Sequence, residues 1–215
     1  MGSNDVHKIK VLLKEHSRRA FDLGLVWGTS GNMSMRKDAE SFFITASGKS
    51  LGDITARDMV LCGMDKDKPD KASMEWRLHS EIYQNRNDVN AVFHSQPTYS
   101  TLIACTKDKK IDISLIPESI AYLKKIEVVP YCHAGSVELA DKCGMAAKKA
   151  DVLLLENHGV VAFGSSIEDA VNKTMTLEFL CRLIVLSRSA NMELRSIPPR
   201  KVKEFKKLLE EGNRV

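Results

Sequence analysis

Two apolar strand patterns lie so close together in the chain that they restrict how a sheet can be built. Residues 151–155, DVLLL, and residues 159–164, GVVAFG, are separated only by a short polar segment. A parallel neighbour needs a crossover of about a dozen residues or more, whereas an antiparallel neighbour needs only a tight turn. The two segments are therefore antiparallel or belong to different edges, which argues against a wholly parallel, doubly wound sheet.

Helices and strands alternate irregularly along the rest of the chain. The spacing of apolar residues predicts helices over 5–23, 74–86, 98–106 and 136–150. Ser165 and Glu168 form a capping-box pattern that opens the longest helix. Short β-rich runs lie between these segments, so the pattern predicts a three-layer α/β/α domain.

Length, charge and cysteine content restrict the class of protein. The 215 residues suit one domain, and the net charge of +4 comes without a basic stripe interleaved with aromatics, so we expect no nucleic-acid partner. We expect no membrane partner either, because no apolar run approaches the roughly 18 residues of a span. Five cysteines without a CxxC pair, and no signal peptide, indicate a reduced cytoplasmic protein.

Two loops are rich in glycine and hydroxyl side chains: GTSGNMS at 28–34 and ITASGKS at 44–50. Glycine lets the backbone approach a ligand closely, so that its N–H groups reach an anion. Each loop alone is more typical of an ordinary turn. Two of them in one small domain favour a pocket for a phosphate or another oxyanion.

His94 and His158 are the main candidates for chemistry, because each lies at the C-terminal end of a predicted apolar strand, in VFHSQP and LLENHG. A lone histidine at a strand end is usually structural, but imidazole is also the commonest metal ligand in proteins. Gln96 lies on the same strand face as His94, although its amide oxygen is a weaker and harder ligand. Glu75 opens the preceding helix, where a carboxylate is favoured whatever its function.

Taken together, these segments resemble the class II aldolase/adducin family, which includes L-fuculose-1-phosphate aldolase. The likeness is carried, in the family's order and spacing, by GTSGNMSMR, ITASGKSL, ASMEWRLHSEIYQNRNDVNAVFHSQP, VVPYCHAGSVELA and LLLENHGVVAFG. It spans about residues 8–185 of a single domain over 1–215, with a helical tail at 190–215. The resemblance implies a three-layer α/β/α sandwich around a mostly antiparallel sheet, a homotetramer with active sites at subunit interfaces, and a divalent metal, usually zinc.

The resemblance also implies roles for individual residues. Family aldolases hold the metal with three histidines, whose positions fall on His94, Gln96 and His158. The catalytic glutamate, which would shuttle a proton at C3 of the donor, falls on Glu75, where the epimerases carry aspartate. The family positions that hold the substrate phosphate fall on Gly31, Asn32, Ser47, Gly48 and Ser73.

Two departures concern the metal and the phosphate. Gln96 stands where the family has its middle histidine, so Mn²⁺ or Mg²⁺ become alternatives to zinc, or Glu75 or His79 supplies a further ligand. Met74 stands where the family has a second serine, which removes one hydroxyl from the phosphate pocket.

A third departure concerns the tyrosine acid of family aldolases, whose position falls near Ile116 or Pro117. Candidates to replace it are Tyr122, Tyr131 and Glu118. The leading prediction is a metal-dependent lyase that cleaves a small sugar phosphate by a retro-aldol reaction. Two alternatives stay open: metal-dependent decarboxylation of a 3-oxo sugar acid, which can do without the tyrosine, and a non-catalytic interaction module like the adducin head.

Overall fold

The computed structural model describes residues 3–64 and 67–212. Its strands are β1 (Asn32–Arg36), β2 (Ser41–Thr45), β3 (Met59–Gly63), β4 (Ala91–Ser95), β5 (Ile126–Val129), β6 (Val152–Leu155) and β7 (Gly159–Gly164). Its α-helices are α1 (Ser3–Asp22), α2 (Trp76–Asn85), α3 (Thr98–Ala104), α4 (Pro117–Leu123), α5 (Val137–Ala147), α6 (Ile167–Ser189) and α7 (Pro199–Glu210). Short 3₁₀ turns span Ala56–Asp58 and Ile113–Leu115.

The strands form one seven-stranded sheet in the order β3-β2-β1-β4-β7-β6-β5. Five of the six neighbouring pairs in the described ranges are antiparallel, and only β5 and β6 run parallel. β6 and β7 are antiparallel, as the short segment between them requires. The sheet is therefore mixed, and the expectation of a mostly antiparallel sheet is confirmed.

Helices cover both faces of the sheet, which confirms the predicted three-layer α/β/α arrangement. Leu153 and Leu155 of β6 belong to the core cluster beneath α2 and α5. Val152 and Leu154, which alternate with them, belong to the opposite cluster beneath α3, α4 and α6. This strand is apolar throughout because both of its faces are buried. At the other end of the sheet, α1 and the start of α6 cover the second face.

The structure corrects two local predictions. The long helix is capped by Ser166, whose Oγ accepts the backbone N–H of Asp169 at 3.1 Å, and not by Ser165. His158 does not end a strand: it lies in the turn between β6 and β7, directly after Asn157, which adopts a positive φ of 55°. Within the described ranges, no helix is long and apolar enough to cross a membrane.

Candidate metal centre

Three side chains from separate elements converge at one end of the sheet. Oε2 of Glu75 lies 3.0 Å from Nε2 of His94, and Oε1 of Glu75 lies 3.4 Å from Nε2 of His158. The two imidazole rings meet nearly edge to face, with centroids 4.8 Å apart. One nitrogen or oxygen from each residue lies within 4.8 Å of the others, so the group can hold a metal ion. The structure thus brings together the three residues singled out in the sequence, while their roles stay predictions.

Each of the three positions follows from local structure. His94 is the penultimate residue of β4, and Glu75 is the residue from which α2 starts. The turn that carries His158 approaches β4 closely, because a Cβ at Gly159 would collide with the carbonyl oxygen of Ser95. Only glycine permits this approach, which brings His158 beside the end of β4.

The protonation states of the group follow from its burial and its charges. Burial acts to lower the pKa of His94, but the adjacent Glu75 carboxylate outweighs it and raises this pKa above its ordinary value. Burial acts to raise the pKa of Glu75, yet His94, together with His158 and Asn32, holds it well below its ordinary value. Glu75 is therefore a carboxylate at neutral pH. Nδ1 of His94 donates to the carbonyl oxygen of Val160 at 2.9 Å, so its other nitrogen is the one that faces Glu75.

The donor atoms fit a divalent cation. Burial lowers the pKa of His158 to about 4, and the neighbouring His94 acts in the same direction, so this ring is a neutral imidazole at neutral pH. Oε1 of Glu75 is buried and accepts no hydrogen bond from the described residues. Two imidazole nitrogens and one carboxylate, gathered around such an unsatisfied oxygen, form a common ligand set for zinc.

Gln96 lies beside this group, on the His94 face of the chain. Its Nε2 is 2.6 Å from Nε2 of His94, and its Oε1 is buried without a hydrogen-bond partner in the described ranges. A half-turn of the amide exchanges these two atoms, so the side chain can present its oxygen to the same point. Its role as a ligand stays a prediction.

A set of buried hydrogen bonds leads away from Glu75. Nδ2 of Asn32 donates to Oε2 of Glu75 at 3.1 Å, and Oδ1 of Asn32 lies 2.6 Å from Nε2 of His79. Nδ1 of His79 lies 2.7 Å from Oγ of Ser34, which is 2.7 Å from the hydroxyl of Tyr83. Of these residues, His79 was predicted only as a possible further metal ligand, and Ser34 and Tyr83 were not predicted at the site.

These hydrogen-bonded residues do carry a signal in the sequence. Glu75, His79 and Tyr83 recur every four residues on α2, and Asn32 and Ser34 recur every two residues on β1. Residues four apart share a helix face, and residues two apart share a strand face. The two series of polar residues therefore face each other at the buried α2–β1 contact.

A cavity of about 330 Å³ opens beside Glu75, Gln96 and His158. The residues predicted to bind phosphate that line it are Gly31, Asn32, Ser47, Gly48 and Ser73. Gly31 has a φ of +78°, and a Cβ there would collide with Val26. The cavity lining identified in the described ranges contains no lysine or arginine, so any anion in it would be held by neutral donors and backbone N–H groups.

The departures from the family pattern can also be located. Met74 lines the cavity and is 60% exposed. Because its side chain is a thioether, it contributes no hydroxyl there. Tyr131 is exposed and its hydroxyl lies 3.2 Å from Nδ1 of His133, and Tyr122 is also exposed. The described residues that line the cavity include neither tyrosine, nor Glu118.

Comparisons with known proteins place this chain in a family. A family model described as "Class II Aldolase and Adducin N-terminal domain" matches residues 12–185. An L-fuculose phosphate aldolase from Methanocaldococcus jannaschii is 37% identical over 174 residues, which is 79% of this chain and 92% of that protein. A 3-oxo-tetronate 4-phosphate decarboxylase from Haemophilus influenzae is 30% identical over 179 residues, 81% of this chain and 85% of that protein. A solved structure of L-fuculose 1-phosphate aldolase superposes with a TM-score of 0.84 at 25% identity and covers 98% of both chains.

Proposed function

The chain belongs to the class II aldolase and adducin family, and on that premise we propose that it is a divalent-metal-dependent aldehyde-lyase. The proposed reaction is retro-aldol cleavage of a small phosphorylated ketose into a dihydroxyacetone-phosphate-type donor and an aldehyde. The observation that carries it is the Glu75–His94–His158 group, in which Oε1 of Glu75 accepts no hydrogen bond from the described residues, beside a cavity lined by two glycine-containing loops. Because a 37% identical relative bears the name L-fuculose phosphate aldolase, L-fuculose 1-phosphate is the first substrate to test.

In this proposal, the metal ligands are the two imidazoles and the carboxylate. His94 and His158 offer nitrogen atoms and Glu75 an oxygen, a set that favours zinc. The amide oxygen of Gln96 is a fourth candidate, and as a hard ligand it would also suit Mn²⁺ or Mg²⁺. When bound, the ion supplies a Lewis acid for the carbonyl and neighbouring hydroxyl oxygens of the donor half of the substrate.

The two loops have the chemistry to bind the phosphate end of the ketose. Gly31 and Gly48 adopt positive φ values of 78° and 71°, which lets the backbone N–H groups face an anion closely. Ser47 and Ser73 add hydroxyl groups at the same cavity. Binding there would orient the sugar chain so that its carbonyl end lies towards Glu75 and the histidines.

Glu75 is the proposed proton carrier. Breaking the C3–C4 bond turns the C4 hydroxyl into an aldehyde as its proton leaves, and the electron pair of the bond stays with the donor half. A proton must then be added at C3, so the overall reaction neither gains nor loses protons. Oε2 of Glu75 is held by Asn32 and His94, whereas Oε1 has no competing hydrogen bond from the described residues. Oε1 could therefore carry this proton once the oxygens of the substrate replace it as a ligand of the ion.

A second activity is favoured by two specific observations. A relative that is 30% identical is named 3-oxo-tetronate 4-phosphate decarboxylase. The cavity lining in the described part of the chain has no tyrosine that could serve the C4 hydroxyl. Decarboxylation of a 3-oxo acid releases CO₂ without taking a proton from a hydroxyl, and it consumes one proton at carbon. That proton comes from solvent, and Glu75 could take it up and pass it to the carbon.

Two further features belong to this proposal. We infer a homotetramer with active sites at subunit interfaces, which is supported by the large exposed side chains Trp27 (69% exposed), Met74 (60%) and Tyr131 (54%). Light scattering coupled to gel filtration tests it, and a monomeric mass would contradict it.

A cytoplasmic location is supported by the five cysteines, which are all free thiols.

The experiment that tests the function compares two products. The metal-loaded protein is incubated with L-fuculose 1-phosphate or with 3-oxo-tetronate 4-phosphate, and dihydroxyacetone phosphate and CO₂ are measured. Dihydroxyacetone phosphate from the first substrate supports the lyase, and CO₂ from the second supports the decarboxylase. If neither substrate gives its product, both proposed activities are contradicted. Glu75→Gln should abolish turnover, whereas Glu81→Gln on the same helix should not.

A further inference from the structure

The buried hydrogen bonds behind Glu75 form a continuous path that reaches His79, Ser34 and Tyr83, to which the proposed reaction gives no role. We call this path the relay; in spatial order it consists of Glu75, Asn32, His79, Ser34 and Tyr83. Asn32 is 6% exposed, and Ser34, His79 and Tyr83 are fully buried. Burying polar groups of this kind costs free energy unless each forms a hydrogen bond, so we asked what their arrangement does for Glu75.

The charge of Glu75 fixes the direction of the first two hydrogen bonds. Only the NH₂ group of Asn32 can face a carboxylate favourably, because its oxygen would be repelled. Oδ1 of Asn32 must then face His79, and at 2.6 Å it can only accept a hydrogen bond. His79 therefore carries its proton on Nε2.

The remaining hydrogen bonds hold His79 in that tautomer. With Nε2 protonated, Nδ1 of a neutral His79 is an acceptor, and the Ser34 hydroxyl donates to it at 2.7 Å. The Tyr83 hydroxyl, 2.7 Å from Oγ of Ser34, can then donate to Ser34. Burial lowers the pKa of His79 to about 3, which agrees with a neutral ring. Every donor in the relay thus points towards Glu75.

We propose that His79 is a positioning residue, which holds the Asn32 amide in the one orientation that donates to Oε2 of Glu75 and so leaves Oε1 directed at the metal site. This inference rests on the proposed role of Glu75 at the metal. Without the N–H of His79, the Asn32 amide can rotate and present its oxygen to the carboxylate. Glu75 would then move or rotate, and the metal site would lose a correctly placed ligand.

The test is metal affinity, measured by calorimetric titration of the metal-free protein with Zn²⁺ or Mn²⁺. His79→Leu, which removes both ring nitrogens, should weaken binding by about tenfold to a hundredfold, the usual effect of losing a group that orients a ligand. His79→Gln keeps an N–H near the position of Nε2 and should restore most of the affinity. In a Glu75→Gln background, His79→Leu should have little further effect, because the charge that the relay orients is gone.

A matched control separates positioning from general destabilisation. Thr174→Val, on α6 in the opposite helical layer, also removes a fully buried polar group, one whose Oγ1 donates to a backbone carbonyl at 3.0 Å. It should lower the melting temperature and leave metal affinity unchanged. A loss of stability without loss of affinity in His79→Leu, or an equal loss of affinity in the Glu75→Gln background, would overturn the proposal.

A second measurement covers the case in which His79→Leu does not fold. The ¹⁵N shifts of His79 in the unsubstituted protein should report a neutral ring protonated on Nε2 at pH 7, and Tyr83→Phe should keep this state. Protonation on Nδ1, or a charged ring, would overturn the proposal. Neither readout depends on substrate turnover, so a failed aldolase assay would contradict the proposed function and leave this test intact.

Discussion

Asn32 and His94 face each other across the β1–β4 pair, and both reach the same oxygen of Glu75. Nδ2 of Asn32 lies 3.1 Å from Oε2 and Nε2 of His94 lies 3.0 Å from it. Two neighbouring strands therefore hold one carboxylate oxygen between them, while Oε1 accepts no hydrogen bond from the described residues and lies 3.4 Å from Nε2 of His158. The sheet register thus orients Glu75 towards His158 and the cavity.

Gln96→His should tighten zinc binding by at least about tenfold, because imidazole is a better zinc ligand than an amide oxygen. Calorimetric titration of both proteins with Zn²⁺ checks this. Gln84→His, an exposed change on α2, is the matched control and should have no effect. An unchanged affinity in Gln96→His would show that Gln96 does not face the ion.

His79 should make stability depend on pH. Burial lowers its pKa to about 3 from 6.5, so between these values the unfolded chain binds a proton that the folded chain does not. The stability that this group contributes is therefore present above about pH 6.5 and is lost as the pH falls. Between pH 7 and pH 5, the unsubstituted protein should lose about 2 kcal/mol more than His79→Gln in urea unfolding. Parallel pH profiles for the two proteins would contradict this.

Gly159→Ala should disrupt both folding and metal binding. The new Cβ would collide with the carbonyl oxygen of Ser95, and such overpacking costs about 1–3 kcal/mol. Because the shift would separate the His158 turn from β4, metal affinity should fall as well. Gly24→Ala is the control. Its φ of +68° is unfavourable for alanine, but the new Cβ would meet open space, so only stability should change. Equal metal affinity in both variants would argue against the proposed packing.

Removing the metal should lower the melting temperature. An ion present at about a hundred times its Kd stabilises the fold by about 2.7 kcal/mol, which corresponds to about 5–10 °C in a chain of this length. Scanning calorimetry before and after chelation measures this shift. His94→Ala should abolish it, whereas a shift of the same size in that variant would place the stabilising ion elsewhere.

The sequence predicts much of this fold because local spacing decides it. The few residues between 155 and 159 allow only a turn, and β6 and β7 are antiparallel as a result. The parallel β5–β6 pair is different, because α5 separates these two strands in the chain. A connection of that length does not determine which strand β5 pairs with. Spacing alone thus excludes a wholly parallel sheet, the family resemblance implies a mostly antiparallel one, and the parallel β5–β6 pair is seen only in the structure.

For the site, motif order points to Glu75, His94 and His158, but their mutual distances depend on tertiary packing. The turn that carries His158 reaches β4 because Gly159 permits close contact, which spacing alone does not reveal. The relay was missed for a related reason. Ser34 and Tyr83 look in the sequence like ordinary polar residues of a strand and a helix, and only burial turns them into obligatory hydrogen-bond partners.

Anomalous diffraction from zinc-soaked crystals can show whether Glu75, His94 and His158 together bind a divalent cation. We expect one strong peak per chain, about 2.0–2.2 Å from Nε2 of His94, from Nε2 of His158 and from a carboxylate oxygen of Glu75. The same peak should be absent from crystals of the His94→Ala variant. A peak only at another place, or no peak between these three side chains at saturating zinc, would show that they do not form the metal site.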